Sequence, residues 1–299
     1  QLCERALTSL KYFAEEAPEY CVVAAGSLLG VALHREKYSF PVGKVQFLHV
    51  YPLDFEEFLW AKGQSLLSAT IKEHYASNMP MPEALHKSAI NEYYDYLITG
   101  GMPAVVMTHI NQSDGGIDES SLKEYILAAY IADMSKYASA SESVKIANAF
   151  ASLPVQLGKD NKKFQYKLIK RGGRAAFYGE AIDWLLQAAV VLKCGKVTAG
   201  MMPLAMYEDS SSFKLYYNDV GLLAQSIGMT LRGLSMPGNK IFMGTMTENY
   251  LAQQLTSLNY KLYYWTSNGT AEVDFVLMKD DLAIPLECKS ATHVKSKSL

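Results

Sequence analysis

Cysteine is scarce in this chain of 299 residues, and no two cysteines form a C-x-x-C pair. That spacing argues against a disulfide framework and against a structural zinc site, and it indicates reduced thiols. Long apolar runs are also missing, since none reaches the roughly 18 residues typical of a membrane span. No basic-then-apolar leader opens the chain. We therefore expect a cytoplasmic protein with no membrane partner.

An excess of charge of one sign is missing as well, because the formal net charge is only -2. This excludes a uniformly basic nucleic-acid coat but leaves room for a local basic patch. The six histidines show no H-x-x-x-H or H-E-x-x-H spacing, and no G-x-x-x-x-G-K-[ST] loop occurs. The sequence thus offers no histidine metal site and no P-loop of its own.

The composition is that of a globular protein, with 49% hydrophobic and 19% charged residues, and the length suffices for two or three domains. The opening predicts a helix, a buried strand at Tyr20–Ala25 and a turn and strand at Phe40–Tyr51. A helix should follow Pro52, with Asp54 as its cap. The polar run Asn111–Gly116 is the best linker candidate.

The second half changes character along its length. Three short helices are predicted at about 144–157, 163–170 and 174–191, and a hairpin at about 190–217. That order is typical of a winged helix-turn-helix. From Tyr216 onward the pattern becomes α/β. Both ends of the chain look cut, so we expect a fragment of a longer protein.

Two strand-like runs near the end carry the clearest chemistry. Alternation along Ala271–Met278 sends Asp274 to the face opposite its apolar neighbours, and Glu287 and Lys289 share a face of the next run. If the runs pair through the polar turn 279–281, two carboxylates and one ammonium converge. Asp274 and Glu287 could then hold Mg²⁺ or Mn²⁺, and Lys289 could orient an attacking water. The plainer alternative is a surface ion pair between Glu287 and Lys289.

A cluster of cations precedes this region, with little acid nearby. On a winged helix such a cluster could bind DNA phosphates without regard to sequence, in a salt-sensitive manner. A solvated face or a protein contact is the alternative. The cluster consists of Lys162, Lys163, Lys167, Lys170, Arg171 and Arg174.

Several segments together resemble one family along essentially the whole chain. They include Ala25–Gly30, Ser39–Lys44, Tyr51–Phe58, Tyr96–Pro103, Thr247–Tyr250, Tyr264–Ser267 with Glu272–Asp274, and Ile284–Ser290. The chain resembles the predicted AAA-superfamily ATPases of bacteria and archaea that end in a domain of unknown function. The final segments also resemble the PD-(D/E)xK signature of restriction-endonuclease-like domains.

This resemblance implies an α/β multidomain fold in four parts. Residues 1–58 would be the tail of a P-loop AAA core, 59–115 a helical lid, 116–215 a helical and winged-helix region, and 216–299 a truncated restriction-endonuclease-like α/β domain. The Walker A and Walker B motifs of the family would lie upstream. ATP and Mg²⁺ are therefore the cofactors expected of the intact protein, and this chain alone should be inactive as an ATPase.

The resemblance also suggests roles for individual residues. Ser27 would be the sensor-1 residue near the γ-phosphate, although a turn or cap serine is equally compatible with its position. Lys44, and more weakly Arg35, would reach a nucleotide across a subunit boundary, whereas a solvated turn lysine is the plainer alternative. Glu248 would be the helical glutamate that supports the nuclease-like metal site. Such a site could also be a relic that no longer cleaves.

We therefore expect part of an AAA-superfamily ATPase that associates with DNA through its winged-helix and nuclease-like regions. DNA and further copies of the same chain are the expected partners. Two alternatives stay open. One is a metal-dependent DNA endonuclease regulated by ATP, and the other is a non-catalytic module that binds protein or DNA.

Overall fold

The computed structural model describes residues 6–26, 43–111, 118–136, 138–234, 236, 240–267 and 271–289. The fold is mixed α/β, as predicted: helices fill most of the first 190 residues, and a five-stranded sheet follows. In the described part of the chain, no helix combines the length and hydropathy that crossing a membrane requires. The helices are α1 (Ala6–Glu16), α2 (Phe55–Ala61), α3 (Ser65–Ser77), α4 (Glu83–Thr99), α5 (Pro103–Asn111), α6 (Glu119–Ser135), α7 (Ala140–Ala151), α8 (Leu153–Leu157), α9 (Ala175–Gln187), α10 (Val220–Ser226), α11 (Leu231–Leu234) and α12 (Lys240–Ser257).

The strands form one open sheet in the order β2-β1-β3-β4-β5. Strands β1 and β3 are parallel, and all other neighbours are antiparallel. The β4–β5 hairpin turns through Asp280 and Asp281, both at positive φ, so the predicted pairing of the two terminal runs is confirmed. The strands are β1 (Val191–Val197), β2 (Glu208–Tyr217), β3 (Tyr263–Thr266), β4 (Glu272–Lys279) and β5 (Leu282–Leu286).

The sheet continues across the domain boundary predicted at 215/216. That boundary falls inside β2. The hairpin predicted as a wing consists of β1 and β2, and β1 also pairs with β3. Helix α12 is hydrogen-bonded to the end of β2. The Asn249 side chain accepts from the Tyr217 N–H at 2.8 Å and donates to the Tyr217 carbonyl at 3.1 Å. One apolar core runs from the helices into this sheet.

The first fifty residues correct two predictions. Helix α1 is present, but residues 21–26 and 45–50 form no strand. Val23, expected in a buried strand, is 94% exposed. A strand is stable only when a neighbour completes its hydrogen bonds and covers its side chains. No described strand lies beside these segments. The described residues therefore do not show the tail of a parallel sheet there.

A tight joint connects the helical part to the sheet part. The Gly101 N–H donates to Asp219 Oδ2 at 2.7 Å, and the Gly101 carbonyl accepts from the Leu53 N–H at 2.8 Å. The Tyr96 hydroxyl donates to the Leu53 carbonyl at 2.6 Å. Two of the segments that carry the family resemblance, Tyr51–Phe58 and Tyr96–Pro103, thus meet at this joint. The cap predicted at Asp54 is also present, and the structure shows it as a capping box with Glu57.

A second polar cluster lies among the helices and is fully paired. His109 Nε2 lies 2.9 Å from Asp95 Oδ2, and His109 Nδ1 lies 2.7 Å from Glu119 Oε1. Because ionised carboxylates only accept, both ring nitrogens must carry hydrogens. These two hydrogen bonds outweigh partial burial and raise the pKa of His109 to about 9. The imidazolium therefore serves as a structural cation between α4, α5 and α6.

Candidate functional site

The residues predicted to form a nuclease-like site lie together at one end of the β4–β5 hairpin. The last pair of the register is Phe275 with Leu286, and Asp274 and Glu287 are the next residues of the two chain segments. The Cys288 N–H donates to Asp274 Oδ2 at 2.8 Å. Lys289 contacts the Glu287 carboxylate directly. The structure thus brings Asp274, Glu287 and Lys289 together, as the alternation along the two runs indicated.

Helix α12 adds Glu248 to the same place. Its side chain is buried and accepts from three donors: Lys214 Nζ at 3.0 Å, Lys162 Nζ and the Tyr216 hydroxyl. Burial alone would raise the pKa of Glu248, but Lys214 and Lys162 outweigh it and lower the pKa to about 2. Glu248 is therefore an ionised carboxylate whose two oxygens are both bound.

Lys214 is the central residue of this cluster that the sequence alone did not indicate. It lies on β2 and is 1% exposed, and its ammonium is 2.7 Å from Glu272 Oε1 on β4. The ammonium also lies 4.9 Å from the ring centroid of Tyr264, which lies on β3. The side chain thus crosses the sheet beneath α12. A lysine inside the apolar run Phe213–Tyr217 was the signal that could have identified it.

Four acidic side chains surround these lysines, and we call Glu248, Glu272, Asp274 and Glu287 the carboxylate cluster. Asp274 differs from Glu248 in its electrostatics. Burial and the nearby Glu248 raise the pKa of Asp274 to about 6, against the opposing effect of the Cys288 N–H and Lys214. Burial, Glu248 and Asp274 likewise raise the pKa of the Cys288 thiol to about 12. The neighbourhood therefore disfavours further negative charge.

The donors present do not fit a divalent ion. Among the described residues, no group of three or more His, Cys, Asp or Glu side chains is arranged to hold a metal. Lys162, Lys214 and Lys289 supply three positive charges against the four carboxylates, which leaves one negative charge at most. The second oxygen of Glu287, by contrast, is buried without a hydrogen-bond partner and so is available to a cation. The role of Asp274 and Glu287 as metal ligands remains a prediction. The Glu248 carboxylate already forms ion pairs with Lys162 and Lys214.

The cation cluster divides into two parts. Lys162 turns inward to Glu248, whereas the others are partly or fully exposed. The segment is anchored where it begins, because the Phe164 N–H donates to the Phe213 carbonyl of β2 at 2.8 Å. In the described part of the chain no acidic side chain pairs with Lys167, Lys170, Arg171 or Arg174. We call residues 162–174 the cationic segment. Besides the five lysines and arginines just named, it contains Lys163.

The predicted nucleotide-sensing residues cannot be joined into a site. Ser27 and Arg35 lie outside the described residues. Lys44 is exposed and lies 3.3 Å from Glu15 on α1. The described residues therefore offer no phosphate-binding loop, and the nucleotide role of Lys44 remains a prediction.

Comparison with known families supports part of the resemblance. Residues 90–232 match a domain of unknown function (DUF8612), and residues 243–299 match another domain of unknown function (DUF4143). The second domain is commonly found in AAA-ATPase-associated proteins. No curated protein and no solved structure matches the chain. The first match contains Lys162 and Lys214, and the second contains the carboxylate cluster, so the ion pairs join the two regions.

Proposed function

We propose that this chain is part of an AAA-superfamily ATPase and that its cationic segment, beside the region predicted to be nuclease-like, holds DNA by the phosphate backbone without cleavage. The order of the motifs along the chain supports the first part. So does the match of residues 243–299 to a domain that commonly occurs in AAA-ATPase-associated proteins. ATP would be bound by a P-loop module encoded together with this chain.

One contact carries the DNA-binding part of the proposal. Lys162 binds Glu248, so the cationic segment begins at the carboxylate cluster. The exposed cations of Lys167–Arg174 then continue outward from it on a compact turn, which the hydrogen bond from the Gly173 N–H to the Lys170 carbonyl closes at 2.8 Å. Unpaired surface lysines and arginines bind phosphates by releasing counterions, independently of sequence. A duplex on this turn would lie beside the cluster.

We expect the double variant Lys170→Gln, Arg171→Gln to bind a DNA duplex more weakly than the wild type. If both side chains contact phosphates, the slope of log affinity against log salt should fall by about 2 in magnitude. Fluorescence anisotropy of a labelled duplex over a salt series measures both quantities.

The matched control removes two exposed lysines that lie on helices away from this turn. Lys72 on α3, which pairs with Glu56, and Lys87 on α4 are both exposed, and Lys72→Gln, Lys87→Gln removes the same two positive charges. We expect this control to keep the wild-type slope within about 0.5. An equal loss of slope in both variants would show a general charge effect and contradict a defined phosphate contact on the turn.

The ATPase part has its own test. The coding sequence on the 5′ side should encode a Walker A loop and a Walker B strand in frame with this chain. A reading frame that lacks both would contradict the ATPase assignment and leave the DNA-binding proposal standing.

One observation favours the endonuclease as a second candidate. Asp274, Glu287 and Lys289 lie next to one another, in the arrangement that phosphodiester hydrolysis would require. The lysines bound to Glu248 and Glu272 count against it, because they leave little negative charge for a divalent ion. Cleavage activity decides between the two candidates.

A further inference from the structure

We propose that the Lys214 ammonium is the resident cation of the carboxylate cluster and keeps it assembled without a divalent metal ion. Lys214 Nζ lies 3.0 Å from Glu248 Oε1 and 2.7 Å from Glu272 Oε1. These carboxylates come from α12 and β4, two elements that the ammonium thereby links. A metal ion in a nuclease-like site would have the same task of holding acidic side chains from different elements.

The position of Lys214 is fixed from several sides. Its side chain is 1% exposed, and the ring of Tyr264 lies against the ammonium. Burial by itself would lower the pKa of Lys214, but Glu248 and Glu272 raise it well above its ordinary value. An ammonium in this setting neither loses its proton at neutral pH nor moves into solvent. It is a permanent positive charge inside the cluster.

Lys162 cannot replace Lys214 as the fixed positive charge inside the carboxylate cluster. The Lys162 side chain is 16% exposed, contacts only Glu248 among the carboxylates and starts a surface segment. The Lys162 ammonium can therefore move out into water if its contact with Glu248 is lost. Removal of each lysine therefore distinguishes a fixed internal cation from a neighbouring one.

The experiment follows Mn²⁺ binding to the full 299-residue chain by electron paramagnetic resonance, with thermal unfolding measured in parallel. Wild type should show no saturable one-to-one binding and no rise in unfolding temperature with millimolar Mn²⁺. Lys214→Met keeps most of the apolar side chain but removes its charge, so this variant should show the saturable one-to-one Mn²⁺ binding that wild type does not show. Mn²⁺ should also raise the unfolding temperature of this variant. Lys162→Met, the matched control, should behave like wild type.

Two results would overturn the proposal. One is a saturable Mn²⁺ site in the wild type that Asp274→Asn abolishes, and this result decides the matter even if Lys214→Met does not fold. The other is a folded Lys214→Met variant that binds Mn²⁺ no better than wild type. Neither result depends on DNA binding, so failure here leaves the salt-dependence test of the proposed function intact.

Discussion

Replacing Glu248 by glutamine should lower the free energy of unfolding by about 3–5 kcal/mol, because it leaves two lysine ammoniums without their shared carboxylate. Lys214 is 1% exposed and keeps only Glu272, while Lys162 loses its acidic partner. The Tyr216 hydroxyl would also face a weaker, neutral acceptor. Urea unfolding followed by circular dichroism measures the loss.

The control for this prediction is an ion pair at the surface of the same sheet. Glu208 on β2 lies 2.9 Å from Lys261, whose side chain is 65% exposed. Glu208 also lies 3.9 Å from Lys193, which is 38% exposed. Glu208→Gln should cost no more than about 1 kcal/mol, since water solvates both lysines that are left. An equal loss of unfolding free energy in the two variants would show that burial does not increase the cost of removing the Glu248 charge.

Replacing Gly101 by alanine should cost about 3 kcal/mol or more, because the new methyl group has no room. A Cβ at this position would lie 2.0 Å from the Leu53 carbonyl oxygen, which is backbone and cannot rotate away. Relief would require the backbone to shift and would weaken the hydrogen bonds of Gly101 to Asp219 and Leu53. The same urea titration reports the effect.

Gly179 is the matched control, because it lies inside α9 and a Cβ there would meet nothing within 4 Å. Gly179→Ala should stabilise the protein by about 0.5–1 kcal/mol, since alanine loses less backbone entropy in a helix. A tolerated Gly101→Ala would show that the joint between the helices and the sheet is looser than its geometry indicates.

Features set by neighbouring residues could be predicted from the sequence. The β4–β5 hairpin follows from two apolar runs separated by a short polar turn, and the cap at Asp54 follows from its place just after Pro52 at the start of a helix. Both are local because every contact involved spans few residues. The juxtaposition of Asp274 and Glu287 came from the same local register.

Contacts between distant parts of the chain could not be predicted in this way. Lys162 was assigned to a surface cluster because its neighbours are cationic, yet it pairs with a glutamate 86 positions away. The segment at 21–26 has strand propensity, but propensity does not supply a pairing partner. In both cases local composition does not specify the tertiary partner.

Incubation of supercoiled plasmid with the full chain and Mn²⁺, resolved on a native gel, tests the central claim most directly. The account predicts plasmid that migrates more slowly but runs as intact supercoiled DNA after the protein is removed, both for wild type and for Asp274→Ala. Nicked or linear product with wild type that disappears with Asp274→Ala would contradict it.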